Sequence, residues 1–248
     1  IILDSTREKL EQLKLRRAES LAALTTLAAG VAHEIKNPLG SIDIHIQLIN
    51  RLLEKCDTPE VQEVKSLLDV IEEEILRLND IVKDFLFAVR PVDLSSEKIN
   101  MHRFLYDLYN FMKYEAEKKG ITFVFEVPEN LPLIFADSRY LKPAFINIMK
   151  NAIEACDSGG KIEISGCEKD SNIEIKVSDT GKGINTDNLD KIFDPYFTTK
   201  DYGTGLGLTI VYKIIREHGG NIKVDSAEGK GTTFTIILPT GKMPKKRE

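Results

Sequence analysis

The sequence predicts a multi-domain chain: an all-α helical hairpin that dimerises as a four-helix bundle, followed by an α/β two-layer sandwich. Three observations carry that expectation. Two long apolar ladders with heptad spacing fill the first third. Runs of strict apolar–polar alternation follow residue 120. Between the two regions, "RPVDLSSEKIN" (90–100) keeps neither period and carries proline and serines, the composition of a linker.

The opening "IILDSTREKLEQLK" reads as the continuation of something upstream, so residues 1–20 are expected to be a linking helix. From Leu21 the apolar positions step by three and four through Leu24, Ala28, Val31, Ile35, Ile42, Ile49 and Leu52, with Pro38 and His45 on the remaining seam positions. The second ladder is Val64, Leu68, Ile71, Ile75, Leu78, Val82, Phe85, Val89, and the polar "EKCDTPE" connects them. Two helices alone cannot bury a full core, so the hairpin, 21–92, is expected to dimerise. After a linker at 93–98, the second domain spans 99–241. It should hold a helix over His102–Lys119, a strand in "ITFVFEV" and a helix over 138–156. Strands in "KIEISGCE" and "NIEIKVSD", a helix after Gly207 and a final hairpin in "NIKVDSAEGKGTTFTIILP" complete it. The sheet should be mostly antiparallel. The basic tail is 242–248.

Composition removes several function classes. The chain has 248 residues, 42% hydrophobic and 29% charged, with a net charge of −5, so nothing argues for nucleic-acid binding. Three cysteines without C-x-x-C spacing read as free thiols in a reducing compartment. The uncharged run Leu21–Ala32 is too short to span a bilayer.

The segment "LAAGVAHEIKNPLGSI" (27–42) poses the first chemical question. With Ala28 at heptad position a, His33 falls at f, the outermost position, and Asn37 one turn on shares its face. His45, on the seam, is expected to be a core histidine. The His-Glu-x-x-Asn pattern lacks the second histidine of a zinc signature, and asparagine is a poor substitute. Pro38 removes its own N–H and frees the Glu34 carbonyl, a cost of about 3 kcal/mol in a helix interior. That cost points to a functional bend rather than a merely solvated histidine. An exposed imidazole with one free nitrogen can attack phosphorus, and Glu34 can hold the other nitrogen as N–H. The chemistry needs a phosphoryl donor.

No P-loop is present. Four other features stand in order. In "FINIMKNAIEAC" (145–156), Asn147 and Asn151 share one helix stripe with Glu154; an amide oxygen suits Mg2+ beside a triphosphate, and the alternative is a plain polar face. In "NIEIKVSDTGKGI" (172–184), period two places Asp179 on the buried face, where it needs a partner such as an adenine amino group. In "IFDPYFTTKDYGTGLGLTI" (192–210), Gly203, Gly205 and Gly207 lead into a helix, an arrangement that receives anions, unless it is only a flexible loop. "EGKGTTF" (228–234) alone is a hairpin turn.

Together these features resemble the N, G1, F, G2 and G3 boxes of the ATP-binding (Bergerat/GHKL) fold shared by sensor histidine kinases, type II topoisomerases, Hsp90 and MutL. "HEIKNPL" resembles the phosphoacceptor box of the histidine kinases alone, and "PYFTTKDYGTGLGL" beside it looks like the nitrogen-sensor-type subgroup. The resemblance covers about residues 20–240. It implies a sensor histidine kinase core with ATP and Mg2+ as cofactors, in which His33 is phosphorylated on Nε2 and Glu34 is its acidic neighbour. Asn37 would orient water for dephosphorylation of the regulator. It makes Asn151 the metal ligand, Lys150 a phosphate contact and Asp179 the adenine reader. The site would further include Asn147, Gly181, Gly183, Ile184, Phe193 and Lys200. Gly203, Thr204, Gly205, Leu206, Gly207 and Thr232 complete it. The implied partners are a second copy, a response regulator receiver domain and an upstream sensor, PAS-like or membrane-bound, with this portion in the cytoplasm. Asn147 stands where ATP-hydrolysing relatives carry a glutamate, which argues against a topoisomerase-type ATPase, and the intact polar set argues against a non-catalytic scaffold. Pro143 departs from the N-box pattern and implies that its helix starts later than residue 138.

Overall fold

The computed structural model describes residues 35, 37–51, 53, 58–89, 92–200 and 204–241. Residues 1–34, which include His33 and Glu34, lie outside the described residues, as do 36, 52, 54–57, 90–91, 201–203, which include Gly203, and the tail 242–248. The chain divides into two units, Ile1–Arg90 and Pro91–Glu248.

In the first unit, residues 37–51 are helical (α1) and α2 is Pro59–Val89. Thr58 starts α2, its Oγ1 accepting from Val61 N at 3.4 Å, and Pro59 takes the first helical position, where a missing N–H costs nothing. The buried residues recur every seven: Leu39 and Ile46 on α1, Leu68, Ile75 and Val82 on α2. Ile46, Leu68 and Ile75 form one cluster with Leu53 against it. Asn50 Nδ2 donates to Glu72 Oε1 at 2.9 Å and ties the two helices together.

On α2 the expected Leu68, Ile75 and Val82 are buried, whereas the rest of this seam corrects the expected one. Ile35, Ile42, Ile49, Val64, Ile71 and Leu78 are 39–46% exposed, and Leu39 and Ile46, absent from the expected ladder, are buried instead. The physical reason is geometric. A heptad helix of a four-helix bundle carries two adjacent apolar stripes, and one antiparallel partner covers only one of them. His45 is likewise not a core histidine of the hairpin: it is exposed, and its Nδ1 donates to the Ser41 carbonyl at 2.7 Å.

The second unit runs β1 (Glu97–Ile99), α3 (Met101–Lys118), β2 (Thr122–Glu126), β3 (Ile134–Ala136), α4 (Ser138–Ala155), β4 (Lys161–Lys169), β5 (Asn172–Asp179), α5 (Gly207–Glu217), β6 (Asn221–Ser226) and β7 (Thr232–Pro239). The main sheet has the order β2-β4-β5-β7-β6; β2 is parallel to β4, and the other pairs are antiparallel. Asp170 and Ser171, both at positive φ, close the two-residue turn between β4 and β5. Alternate strand residues are buried: Ile162 and Ile164 on β4, Ile173, Ile175 and Val177 on β5, Phe234, Ile236 and Leu238 on β7. α4 packs on β5, and α5 on β6 and β7, so the helices form the second layer. Each fully buried Ile or Phe of this layer contributes about 1.5–3 kcal/mol relative to exposure.

Two elements depart from expectation. β1 and β3 pair as a separate two-stranded sheet, with Lys98 opposite Phe135, so Glu97 and Lys98 belong to a strand rather than to a linker. Strands of three residues are too short to display a period. α4 starts at Ser138 despite Pro143 inside it. Asp137 supplies the cap, accepting from Arg139 N at 3.1 Å, and burial of Leu141, Ala144 and Phe145 holds the turn around the proline.

Candidate functional site

Three segments of the α/β unit converge on its polar end. The first is α4. Asn147 and Asn151, one turn apart, are half-buried, and Lys150 between them is exposed. Asn147 Nδ2 donates to the Gly207 carbonyl at 3.4 Å, which ties α4 to the first residue of α5. Asn151 Oδ1 accepts from Lys200 Nζ at 2.7 Å, and the same ammonium donates to the Glu154 carboxylate.

The second segment is the end of β5. Alternation along the strand carries Asp179 to the buried face, as expected. Its Oδ1 accepts from Gly181 N at 2.9 Å and Thr232 N at 3.2 Å. Its Oδ2 accepts from none of the described residues. Burial pushes the carboxyl above the usual carboxylate range, and the two backbone N–H groups offset part of that rise. Gly231 has a positive φ (+85°), and a Cβ there would lie 1.9 Å from the Asp179 carbonyl, so only glycine lets the β6–β7 turn close on this aspartate. "EGKGTTF", alone just a turn, therefore belongs to the site. Around it, Ile184 N donates to Ser226 Oγ at 2.9 Å, and Ser226 Oγ lies 3.0 Å from Thr232 Oγ1. Lys182 N donates to the Ala155 carbonyl at 3.0 Å and joins the Gly181–Gly183 loop to the end of α4.

The third segment leads into α5. Phe193 is buried and packs on Tyr212 with ring centroids 5.6 Å apart, and its carbonyl accepts from Thr209 Oγ1 at 3.2 Å. Gly205 adopts φ +67°, and a Cβ there would meet the Tyr196 backbone at 2.4 Å. Thr204 Oγ1 accepts from Leu206 N at 3.2 Å, and Leu206 is buried. α5 begins at Gly207 without a side-chain cap hydrogen bond.

The structure thus pairs Asn147 with Gly207 and, one turn on, Asn151 with Lys200, and it brings Asp179, Gly181 and Thr232 into a further bonded set. Asn37 lies exposed on α1 in the other unit. Glu154, which shares the Asn147 stripe at a spacing of seven, joins the Asn151 pair through Lys200 although no motif names it. For a metal, the donor chemistry fits Mg2+: Asn151 offers a neutral amide oxygen, and a cation, the Lys200 ammonium, already rests on it. Cys156 is buried and Cys167 exposed, both as free thiols. Among the described residues, no helix is long and apolar enough to cross a membrane.

Two sequence families match the chain. One, described as "His Kinase A (phospho-acceptor) domain", matches residues 23–91. The other, described as "Histidine kinase-, DNA gyrase B-, and HSP90-like ATPase", matches residues 136–242. The sensor histidine kinase ZraS of Escherichia coli (strain K12) is 41% identical over 231 residues, 93% of this chain and 49% of the relative. Sporulation kinase E of Bacillus subtilis (strain 168) is 34% identical over 249 residues, 100% of this chain and 33% of the relative. The chain therefore spans half the length of these curated relatives or less. Among solved structures, histidine kinase ThkA in complex with response regulator protein TrrA is similar at TM-score 0.67 and 33% identity, covering 96% of this chain and 67% of that one. Full-length ShkA in complex with AMPPNP gives TM-score 0.73 and 28% identity, covering 87% and 46%.

Proposed function

The chain belongs to the sensor histidine kinases, and from that membership we propose that it catalyses ATP-dependent phosphorylation of its own His33 and passes the phosphoryl group to an aspartate of a response regulator. The observation that carries this reading is Asn147. Its amide donates to the Gly207 carbonyl, and an amide cannot act as general base for water near neutral pH. A site that binds ATP without activating water there favours transfer to a positioned imidazole.

The chain's own groups divide the work. Asp179 Oδ2 accepts from the adenine amino group. The N–H groups of Gly205 and Gly207 and the Lys200 ammonium receive phosphate oxygens. Asn151 would hold Mg2+, which when bound offsets charge on the phosphates. The His33 Nε2 lone pair forms the new bond to the γ-phosphorus as the bond to the β–γ bridging oxygen breaks and ADP leaves, while Glu34 keeps Nδ1 protonated. Asn37, exposed on α1, orients water when the regulator is dephosphorylated. That ThkA is found with a response regulator supports the choice of partner. The curated relatives are longer than this chain, and the same proposal includes an upstream sensor, PAS-like or membrane-bound, with this portion in the cytoplasm.

With γ-labelled ATP, the label should enter the chain, be lost in mild acid, survive base, and map to the tryptic peptide 18–36, whose one histidine is His33. Acid-stable label, or multiple-turnover hydrolysis without label, rejects the proposal. The uncovered stripe Ile42, Ile49, Val64, Ile71 and Leu78 supports a homodimer through the hairpin. Ile71→Ala should weaken that dimer about tenfold in sedimentation equilibrium, by lost apolar burial in both copies. An unchanged association constant would remove the stripe from the interface.

A further inference from the structure

Lys200 rests on the oxygen that the proposed function gives to the metal. Its Nζ donates to Asn151 Oδ1 at 2.7 Å and to the Glu154 carboxylate. These two acceptors stand three residues apart on α4, so neighbouring turns of one helix converge on one ammonium. The lysine is aimed from its own side as well: Lys200 N donates to Thr198 Oγ1 at 3.1 Å. Glu154 by itself is an unexpected neighbour for a triphosphate, because like charges repel, and its pairing with Lys200 gives it a purpose.

We propose that Glu154 is a positioning residue that holds the Lys200 ammonium on Asn151, making Lys200 and a divalent cation alternative occupants of one amide oxygen. The inference rests on Asn151 as the metal ligand. Two cations on one oxygen repel strongly, so Lys200 must yield Asn151 before a divalent cation takes it. Once released, the ammonium is free to meet phosphate oxygens. The pair would thereby make productive metal binding depend on the arrival of nucleotide.

The test is binding of AMPPNP to the 248-residue chain by calorimetry, with Mg2+ as the titrated variable. Glu154→Gln should lower the Mg2+ concentration for half-maximal binding about two- to fivefold, the range of a partly exposed ion pair. Simple removal of a negative charge predicts the opposite sign, since a carboxylate attracts Mg2+. In a Lys200→Met background, Glu154→Gln should produce no such decrease. A rise in the Mg2+ requirement, or an equal fall in both backgrounds, overturns the proposal. Asn151→Ala separates the two levels. If it raises the Mg2+ requirement while the Glu154 result fails, the metal ligand stands and only the lysine exchange falls. If it changes nothing, the metal assignment falls and takes the exchange with it.

Discussion

Asp179→Asn should lower the affinity of the chain for an ATP analogue by about 100-fold or more, the combined cost of losing a charged acceptor and burying an unmatched donor. Oδ1 is committed to the N–H groups of Gly181 and Thr232. An asparagine must therefore keep its own oxygen there, which turns its NH2 toward the adenine amino group, donor against donor. An inosine analogue, with a carbonyl in place of that amino group, should lose far less. Stability should move the other way. The Asp179 carboxyl is raised by burial. A raised carboxyl disfavours its charged form in the folded state, so it costs stability at neutral pH, and that cost shrinks as pH falls into the carboxylate range. The asparagine chain should thus be at least as stable as the native one at pH 7, and lost binding cannot be ascribed to unfolding. Calorimetry with AMPPNP and the inosine analogue checks both halves. Affinity within a few-fold of native for AMPPNP would remove Asp179 from the base pocket.

The alternation that exposed Asp179 is the kind of signal a sequence carries well. β5 is flanked on both sides by paired strands, so every second side chain from Ile173 to Asp179 is buried, and a carboxylate at the end of that series stands out. The asparagine stripe of α4 was legible for the same reason, since period 3.6 sorts polar from apolar faces within one helix. What was not legible depended on which partner covers which face. Both stripes of a heptad helix have the same period, so the ladder does not say that Leu39 and Ile46 meet α2 while Ile42, His45 and Ile49 lie outside the single hairpin. β1 and β3 owe their strands to each other rather than to any local pattern. Lys200 and Glu154 meet across 46 residues, and no local rule joins them.

Asp137→Ala should destabilise the α/β unit by about 3 kcal/mol, through loss of a helix cap and of charge-assisted hydrogen bonds. The side chain is buried and serves four donors. Arg139 N caps α4 on Oδ1 at 3.1 Å, Arg139 Nε and Nη2 fork onto the two oxygens at 3.0 and 2.6 Å, and Ser95 N reaches Oδ2 at 2.8 Å. These contacts hold the carboxyl well below its ordinary 3.8, at about 2, with Arg139 the main cause. A depressed carboxyl stabilises the fold above its unfolded value and loses that contribution as pH falls from near 4 toward 2, a loss of about 2 kcal/mol. The backbone N–H of Asp137 meanwhile donates to Nε2 of buried His218 at 3.0 Å, while His218 Nδ1 donates to the Ile214 carbonyl at 2.8 Å. Burial lowers the His218 value below 6.5, so its neutral form is the folded one, and its contribution is present above 6.5 and lost as pH falls below it. Native protein should therefore weaken in two stages on acidification. Asp137→Ala, which keeps the backbone N–H, should retain the stage below pH 6.5 and lose the one between 4 and 2. Hydrogen exchange of the buried α4 amides at Phe145, Ile148 and Met149 reads the α/β unit alone. Protection within about 0.5 kcal/mol of native at pH 7, or an undiminished loss between pH 4 and 2, would show that α4, the helix bearing Asn147 and Asn151, is anchored by its packing rather than by this cap.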